Sequence, residues 1–335
     1  MLARTADSIF WVSRYMERAD FLARIIQATQ RLAGLPAVYN PNGGGGTGQQ
    51  GSEWDSALEA SGAAEGFLKT GGVVNETNVI EYLAFSTDNP SSIRNCIAYA
   101  RANARSIRVA LTTEMWESIN SAWFELVRFE QQNLGHTGLQ REELNRFLDF
   151  VKQASLDFDG RAYRTMLRND AYWFSRLGVY IERADNTARI LDVKYNVLLP
   201  ETEVVGGSLD YFQWTAILRA VSALTAYHWV YRQSVKPWLV AELLILKMDM
   251  PRSLISCYDN IVYFLDAIGR AYGRRGQAQR HARDVYERLQ QSSTRDIFQA
   301  GLHEFITSFV EDNSRLGETI SLQYLDTAGT TPETV

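Results

Sequence analysis

The chain has 335 residues, 46% of them hydrophobic and 22% charged, the composition of a globular protein with a sizeable core. Its net charge of −5 and isoelectric point near 5.5 argue against nucleic acid as the default partner, because phosphate neutralisation needs a basic excess. No run of eighteen apolar residues occurs that would cross a membrane; the most apolar piece, Trp238 to Leu246, is short and contains Glu242.

Prolines are few, and the segments between them carry helical periodicity. In chain order the pattern predicts helices at about 5–33, 52–69, 75–84, 91–111, 113–133, 140–155, 163–197, 209–231, 235–247, 251–271, 276–291 and 294–326. That is an all-α bundle of about twelve helices. The glycine-rich stretch at 40–52 reads as a flexible loop and the tail at 327–335 as frayed. The first fifteen residues carry Arg4, Asp7 and Arg14 and no uncharged apolar stretch of signal-peptide length, so a cytoplasmic location is expected. Two cysteines, Cys96 and Cys257, form no Cys-x-x-Cys motif; both read as buried structural thiols.

The chain repeats itself. At an offset of 165, Met1-Leu2, Ala6, Tyr15, Glu17-Arg18-Ala19-Asp20 and Ala23-Arg24-Ile25 recur as Met166-Leu167, Ala171, Tyr180, Glu182-Arg183-Ala184-Asp185 and Ala188-Arg189-Ile190. At an offset of 161, Asp88-Asn89-Pro90-Ser91-Ser92-Ile93 with Cys96 recurs as Asp249-Met250-Pro251-Arg252-Ser253-Leu254 with Cys257. A weaker block pairs residues 115–120 with 285–290. Three blocks in one order imply a single domain over 1–335 made of two copies, about 1–160 and 166–326, packed about a pseudo-twofold axis. The proline blocks read as helix starts, with Asn89 or Asp88 and Asp249 as caps and proline in the first turn.

The repeated helix has two faces. Ile9, Val12, Met16, Ala19, Ala23 and Ile26, with Phe174, Leu177, Ile181, Ala184, Ala188 and Leu191, form an apolar seam in which alanines admit another backbone. The other face is charged: Glu17, Asp20 and Arg24, repeated as Glu182, Asp185 and Arg189, with Arg18 and Arg183 on a further flank. Three readings compete for it. One is an internal salt-bridge network setting the register of the halves. Another is an acidic or anion-binding pocket lined by both copies. The last is a di-metal carboxylate site, which wants a Glu-x-x-His partner that is missing here. No metal or other cofactor is therefore expected. Arg94, Arg101, Arg105 and Arg108 make a second stripe, present in the first copy alone. It is either paired with neighbouring helices or a site for a phosphate, a carboxylate or an acidic surface. No nucleophile elbow and no Walker loop occurs.

The opening residues 1–7, Trp11, Arg14-Tyr15-Met16-Glu17-Arg18-Ala19, Asn89–Ile93, Arg101–Arg105, Glu114–Glu117, Glu182–Tyr195, Trp214 with Leu218-Arg219, and Pro251-Arg252-Ser253 together resemble the alpha-E family of bacterial proteins. The resemblance covers about 1–325, and the glycine-rich insertion departs from it. It implies a wholly helical protein encoded beside a circularly permuted ATP-grasp ligase, often with a transglutaminase-like peptidase. The family has no established catalytic residues to carry over. The function expected is a non-catalytic partner or substrate-presenting subunit of a peptide- or amide-forming ligase system. The alternatives are an enzyme using the carboxylate cluster, with or without metal, and a structural homo-oligomeric scaffold.

Overall fold

The computed structural model describes residues 1–34, 53–133, 140–196 and 208–325; the loop expected at 40–52 and the tail expected at 327–335 lie outside them. The first helix, α1 (Ala3–Ala33), continues for 31 residues because neither Gly nor Pro interrupts its apolar seam. Its counterpart is α8 (Asp170–Asn196). All twelve seam residues predicted on the two helices are 2% exposed or less. The helices run parallel and side by side, since the contacts of Phe10 and Ser13 with Gly178 and Ser175 lie earlier on both helices than those of Glu17 and Arg18 with Arg183 and Glu182.

They approach closely at Gly178, where a Cβ would stand 2.3 Å from the Phe10 carbonyl oxygen, and at the 2.8 Å hydrogen bond between the Ser13 and Ser175 hydroxyls. Small polar residues let the two backbones touch without leaving an unpaired group.

The remaining elements surround this pair in matching positions. Helices α5 (Ile93–Ser106) and α7 (Arg141–Thr165) pack on α1, and α6 (Thr113–Asn133) rests on both. Helices α12 (Leu254–Ala271) and α15 (Leu302–Ile320) pack on α8, and α13 (Gln277–Gln291) rests on both. Short helices α2 (Glu53–Ala60), α3 (Ala64–Lys69) and α4 (Glu76–Ala84) lie on the first side; α9 (Ser208–Ala220), α10 (Leu224–Tyr231), α11 (Pro237–Ile245) and α14 (Thr294–Ala300) lie on the second. Helix α2 leans on both α8 and α1, and α9 leans chiefly on α1. No strand occurs among the described residues.

Fifteen helices are therefore present among the described residues where periodicity predicts about twelve. Three expected helices are each broken once. The breaks fall at Gly62, Ser222 and Gly301, all in the left-handed region with φ of +67°, +57° and +97°. At the first two, the next amide reaches back five residues: Ala63 to Leu58 and Ala223 to Leu218. These two breaks also bring a further pair of segments into register. Trp54, Leu58, Ala60 and Ala63 match Trp214, Leu218, Ala220 and Ala223, and all eight are buried.

The proline blocks also differ from expectation. The caps are Ser92 and Ser253, whose hydroxyls accept the backbone amides of Asn95 and Ser256 at 3.1 Å. Pro90 and Pro251 therefore precede their helices rather than sit in the first turn. Serine two residues after proline takes the cap because the residue following proline is still in the turn. Asn89 instead ties that turn together, accepting the Ser91 amide and donating to the Tyr82 carbonyl oxygen.

Candidate functional site

The charged faces of α1 and α8 meet and exchange partners. Arg183 grips Glu17 with two parallel bonds, Nε to Oε1 at 3.0 Å and Nη2 to Oε2 at 2.9 Å. Arg18 grips Glu182 in the same way, Nε to Oε1 at 2.6 Å and Nη2 to Oε2 at 3.1 Å. Each Glu-Arg dipeptide thus completes the other. The fork of a guanidinium matches a carboxylate in two places at once, which fixes distance and rotation together.

One more arginine joins each carboxylate. Arg252, in the turn before α12, bridges Glu17 Oε1 at 2.9 Å and Asp20 Oδ2 at 3.1 Å. Arg14, one turn earlier on α1, reaches Glu182 Oε2 at 2.8 Å with its guanidinium over the Trp11 ring. Asp20 and Asp185 each hold the arginine four residues on, Arg24 at 2.7 Å and Arg189 at 2.6 Å. Arg24 Nη1 also donates to the Ala220 carbonyl oxygen and the Ser222 hydroxyl, both at 2.9 Å, at the left-handed break after α9. Arg189 stands likewise beside Gly62, at the break after α2. The equivalent glycine offers no hydroxyl.

Burial sets the electrostatics. Glu17 and Glu182 are 4% and 2% exposed. Burial alone would push both carboxyls up. Arg183 and Arg252 outweigh it for Glu17, and Arg18 and Arg14 for Glu182, so both are held down at about 2. Burial would likewise lower Arg18 and Arg183, yet their glutamate partners raise both. These are ion pairs at neutral pH. Two fully buried thiols lie against them: Cys96 near Arg18 and Glu182, and Cys257 near Arg183 and Glu17. Burial pushes each thiol up to about 12, so neither is a nucleophile at neutral pH.

Of the residues singled out from sequence, the structure brings together Glu17, Arg18, Asp20, Arg24, Glu182, Arg183, Asp185 and Arg189. The second arginine stripe does not join them. Arg94 pairs with Glu130 of α6 at 2.8 Å. Arg101 donates to Asn120 and lies over the Trp123 and Phe124 rings of the same helix. Arg105 is exposed. Arg108 falls beyond the end of α5, in a single 3-10 turn, over Trp116. Arg94 and Arg101 thus serve the contact between α5 and α6, and Arg108 the contact of the following turn with α6. Sequence reasoning passed over Arg14, Ser91, Ser222 and Arg252 as members of the cluster. The signal for Arg252 was present: it is the residue where the second proline block departs from Ser91 in the first.

The paired carboxylates lack the donor set of a carboxylate-bridged metal centre. Among the described residues, no three His, Cys, Asp or Glu side chains gather as a metal-holding group, and every Glu and Asp of the cluster faces arginine. No described helix is long and apolar enough to cross a membrane.

Neither a curated protein nor a solved structure matches the chain. A family model does, over residues 1–325, and it is described as a predicted alpha-helical domain with a conserved ER motif. Glu17-Arg18 and Glu182-Arg183, the two dipeptides that interlock at the centre of this fold, fit that description. The chain belongs to the Alpha-E family.

Proposed function

We propose that the chain is a non-catalytic partner, or substrate-presenting subunit, of an ATP-grasp ligase system that forms peptide or amide bonds. The supporting observation is where the Glu-Arg motif is used. Its carboxylates and guanidiniums hold α1 against α8, so the motif's first task is to build a rigid body. A carboxylate held at about 2 between two arginines is a poor proton acceptor and a poor general acid near neutral pH.

Exposed aromatic side chains are the features suited to a partner. Trp229 on α10 is 75% exposed and Trp238 at the start of α11 is 47% exposed. Tryptophan is enriched where proteins meet because it buries a large area at low entropic cost. The family's gene neighbours, a circularly permuted ATP-grasp protein and a transglutaminase-like protein, are the partners this reading names. We further read the two sides of the molecule as two copies of one ancestral unit. Matched helix caps, left-handed breaks and buried tryptophans favour it.

Co-expression with the neighbouring ATP-grasp protein, followed by size-exclusion chromatography with light scattering, tests the proposal. A stable complex, weakened by Trp229→Ala and Trp238→Ala together, is expected. Separate elution with and without ATP sinks it.

A further inference from the structure

The two halves of the ionic cluster differ in one respect. Around Glu17 and Asp20 the Arg252 guanidinium fills the space between the carboxylates. The residue at the corresponding place in the other proline block is Ser91, whose hydroxyl merely accepts from Arg18 Nη1 at 3.3 Å. A cavity of about 200 Å³ remains there, lined among others by Arg18, Ser91, Glu182, Asp185, Asn186 and Arg189.

The hydrogen bonds show what that space lacks. Glu17 Oε1 takes two donors, Arg183 and Arg252, and Asp20 Oδ2 takes two, Arg24 and Arg252. Glu182 Oε1 takes Arg18 alone and Asp185 Oδ2 takes Arg189 alone. Arg14 does not fill the gap, because it approaches the other oxygen of Glu182. These two acceptors, each with one donor, are the counterparts of the two that Arg252 bridges; on the filled side Asp20 Oδ1 is the oxygen left without a partner. Exposure agrees: the Asp20 side chain is 2% exposed and that of Asp185 21%.

We propose that this cavity binds an alkylguanidinium or alkylammonium group, seated between Glu182 and Asp185 as the Arg252 guanidinium is seated between Glu17 and Asp20. Its volume is below the roughly 300–1,000 Å³ of pockets that hold whole drug-sized ligands, so the occupant is the cationic end of a longer molecule, an arginine or lysine side chain of a peptide or a free basic amine. The proposal concerns the cavity alone and stands whether or not a ligase is the partner.

The test is titration of the isotopically labelled full chain with ethylguanidinium chloride, followed by NMR at the Arg18 and Arg189 Nε–H and the Asn186 amide. Saturable shifts with millimolar affinity are expected, at least tenfold weaker in Asp185→Asn and absent in Ser91→Arg, where the chain supplies its own guanidinium. Arg252→Ser is the positive control: it opens the matching space beside Glu17 and Asp20, and ethylguanidinium should bind there as a second equivalent and restore lost thermal stability. Comparison of free arginine with a blocked Gly-Arg-Gly peptide then assigns the source, and tighter binding of either sustains the site. Binding in Arg252→Ser without any in the native chain overturns the proposal. So does sodium acetate shifting the same resonances while ethylguanidinium does not.

Discussion

At the scale of single residues, the two glutamates make stability depend on acid. A carboxyl held at about 2 in the folded chain, against 4.5 ordinarily, adds stability that is complete above pH 4.5 and lost as pH falls toward 2. Urea unfolding measured from pH 7 down to pH 2 should therefore show a loss of stability concentrated between about pH 5 and pH 2. Glu182→Gln should cost about 3 kcal/mol at neutral pH, because it leaves the partly buried Arg18 and Arg14 without a counter-charge. The same variant should flatten part of the acid-dependent loss. These residues were legible in the sequence as a repeated charged face. What was not legible was their pairing. A helical wheel shows that Glu17 and Arg18 point in different directions, but only the register of α1 against α8 shows that each finds its mate on the other helix.

At the scale of elements, the contact between α1 and α8 rests on Gly178. A helix interior normally disfavours glycine by about 1 kcal/mol relative to alanine. Here the added methyl would meet the Phe10 carbonyl oxygen at 2.3 Å, and that backbone cannot yield without moving the whole helix. Gly178→Ala should therefore destabilise the protein by about 1–3 kcal/mol in chemical denaturation, against its local propensity. An unchanged or raised stability would show that the helices do not touch there. The seam around it was readable because its spacing of three and four marks a buried stripe. The glycine was passed over because its repeat counterpart is Ser13, and a glycine facing a serine carries no apolar signal. The three helix breaks were unreadable for a related reason. Ser222 adopts a left-handed φ that its residue type rarely takes, and Gly62 stands in a segment otherwise rich in alanine. The two caps were misplaced because Asn89 and Asp249 are also good caps, and only the length of the turn after proline decides for Ser92 and Ser253.

At the scale of the whole molecule, the halves are interlocked. Helix α2 leans on α8 and α9 on α1, while Arg252 reaches across to α1. A half expressed alone would expose the parallel face of its long helix and leave a glutamate and an arginine unmatched. Residues 1–165 and 166–335 produced separately should each lack a cooperative unfolding transition, and together should recover one as an equimolar complex. Independent folding of either half, measured by circular dichroism melting, would contradict this. The all-α class followed from composition and periodicity, and the burial of the seam on the repeated helix from its spacing. The asymmetry between the halves needed the structure, since Ser91 and Arg252 look like an ordinary surface substitution until their surroundings are placed.

The account rests on the exchange of partners between the two Glu-Arg dipeptides, and a double-mutant cycle on Arg18 and Glu182 measures it directly. Arg18→Met, Glu182→Gln and the double variant would be unfolded in urea at pH 7. Energetic coupling on the order of 1–3 kcal/mol is predicted, with the double variant more stable than the sum of the single losses implies. Losses that add to within about 0.5 kcal/mol would show that the two residues do not hold each other, and would contradict the arrangement of the core.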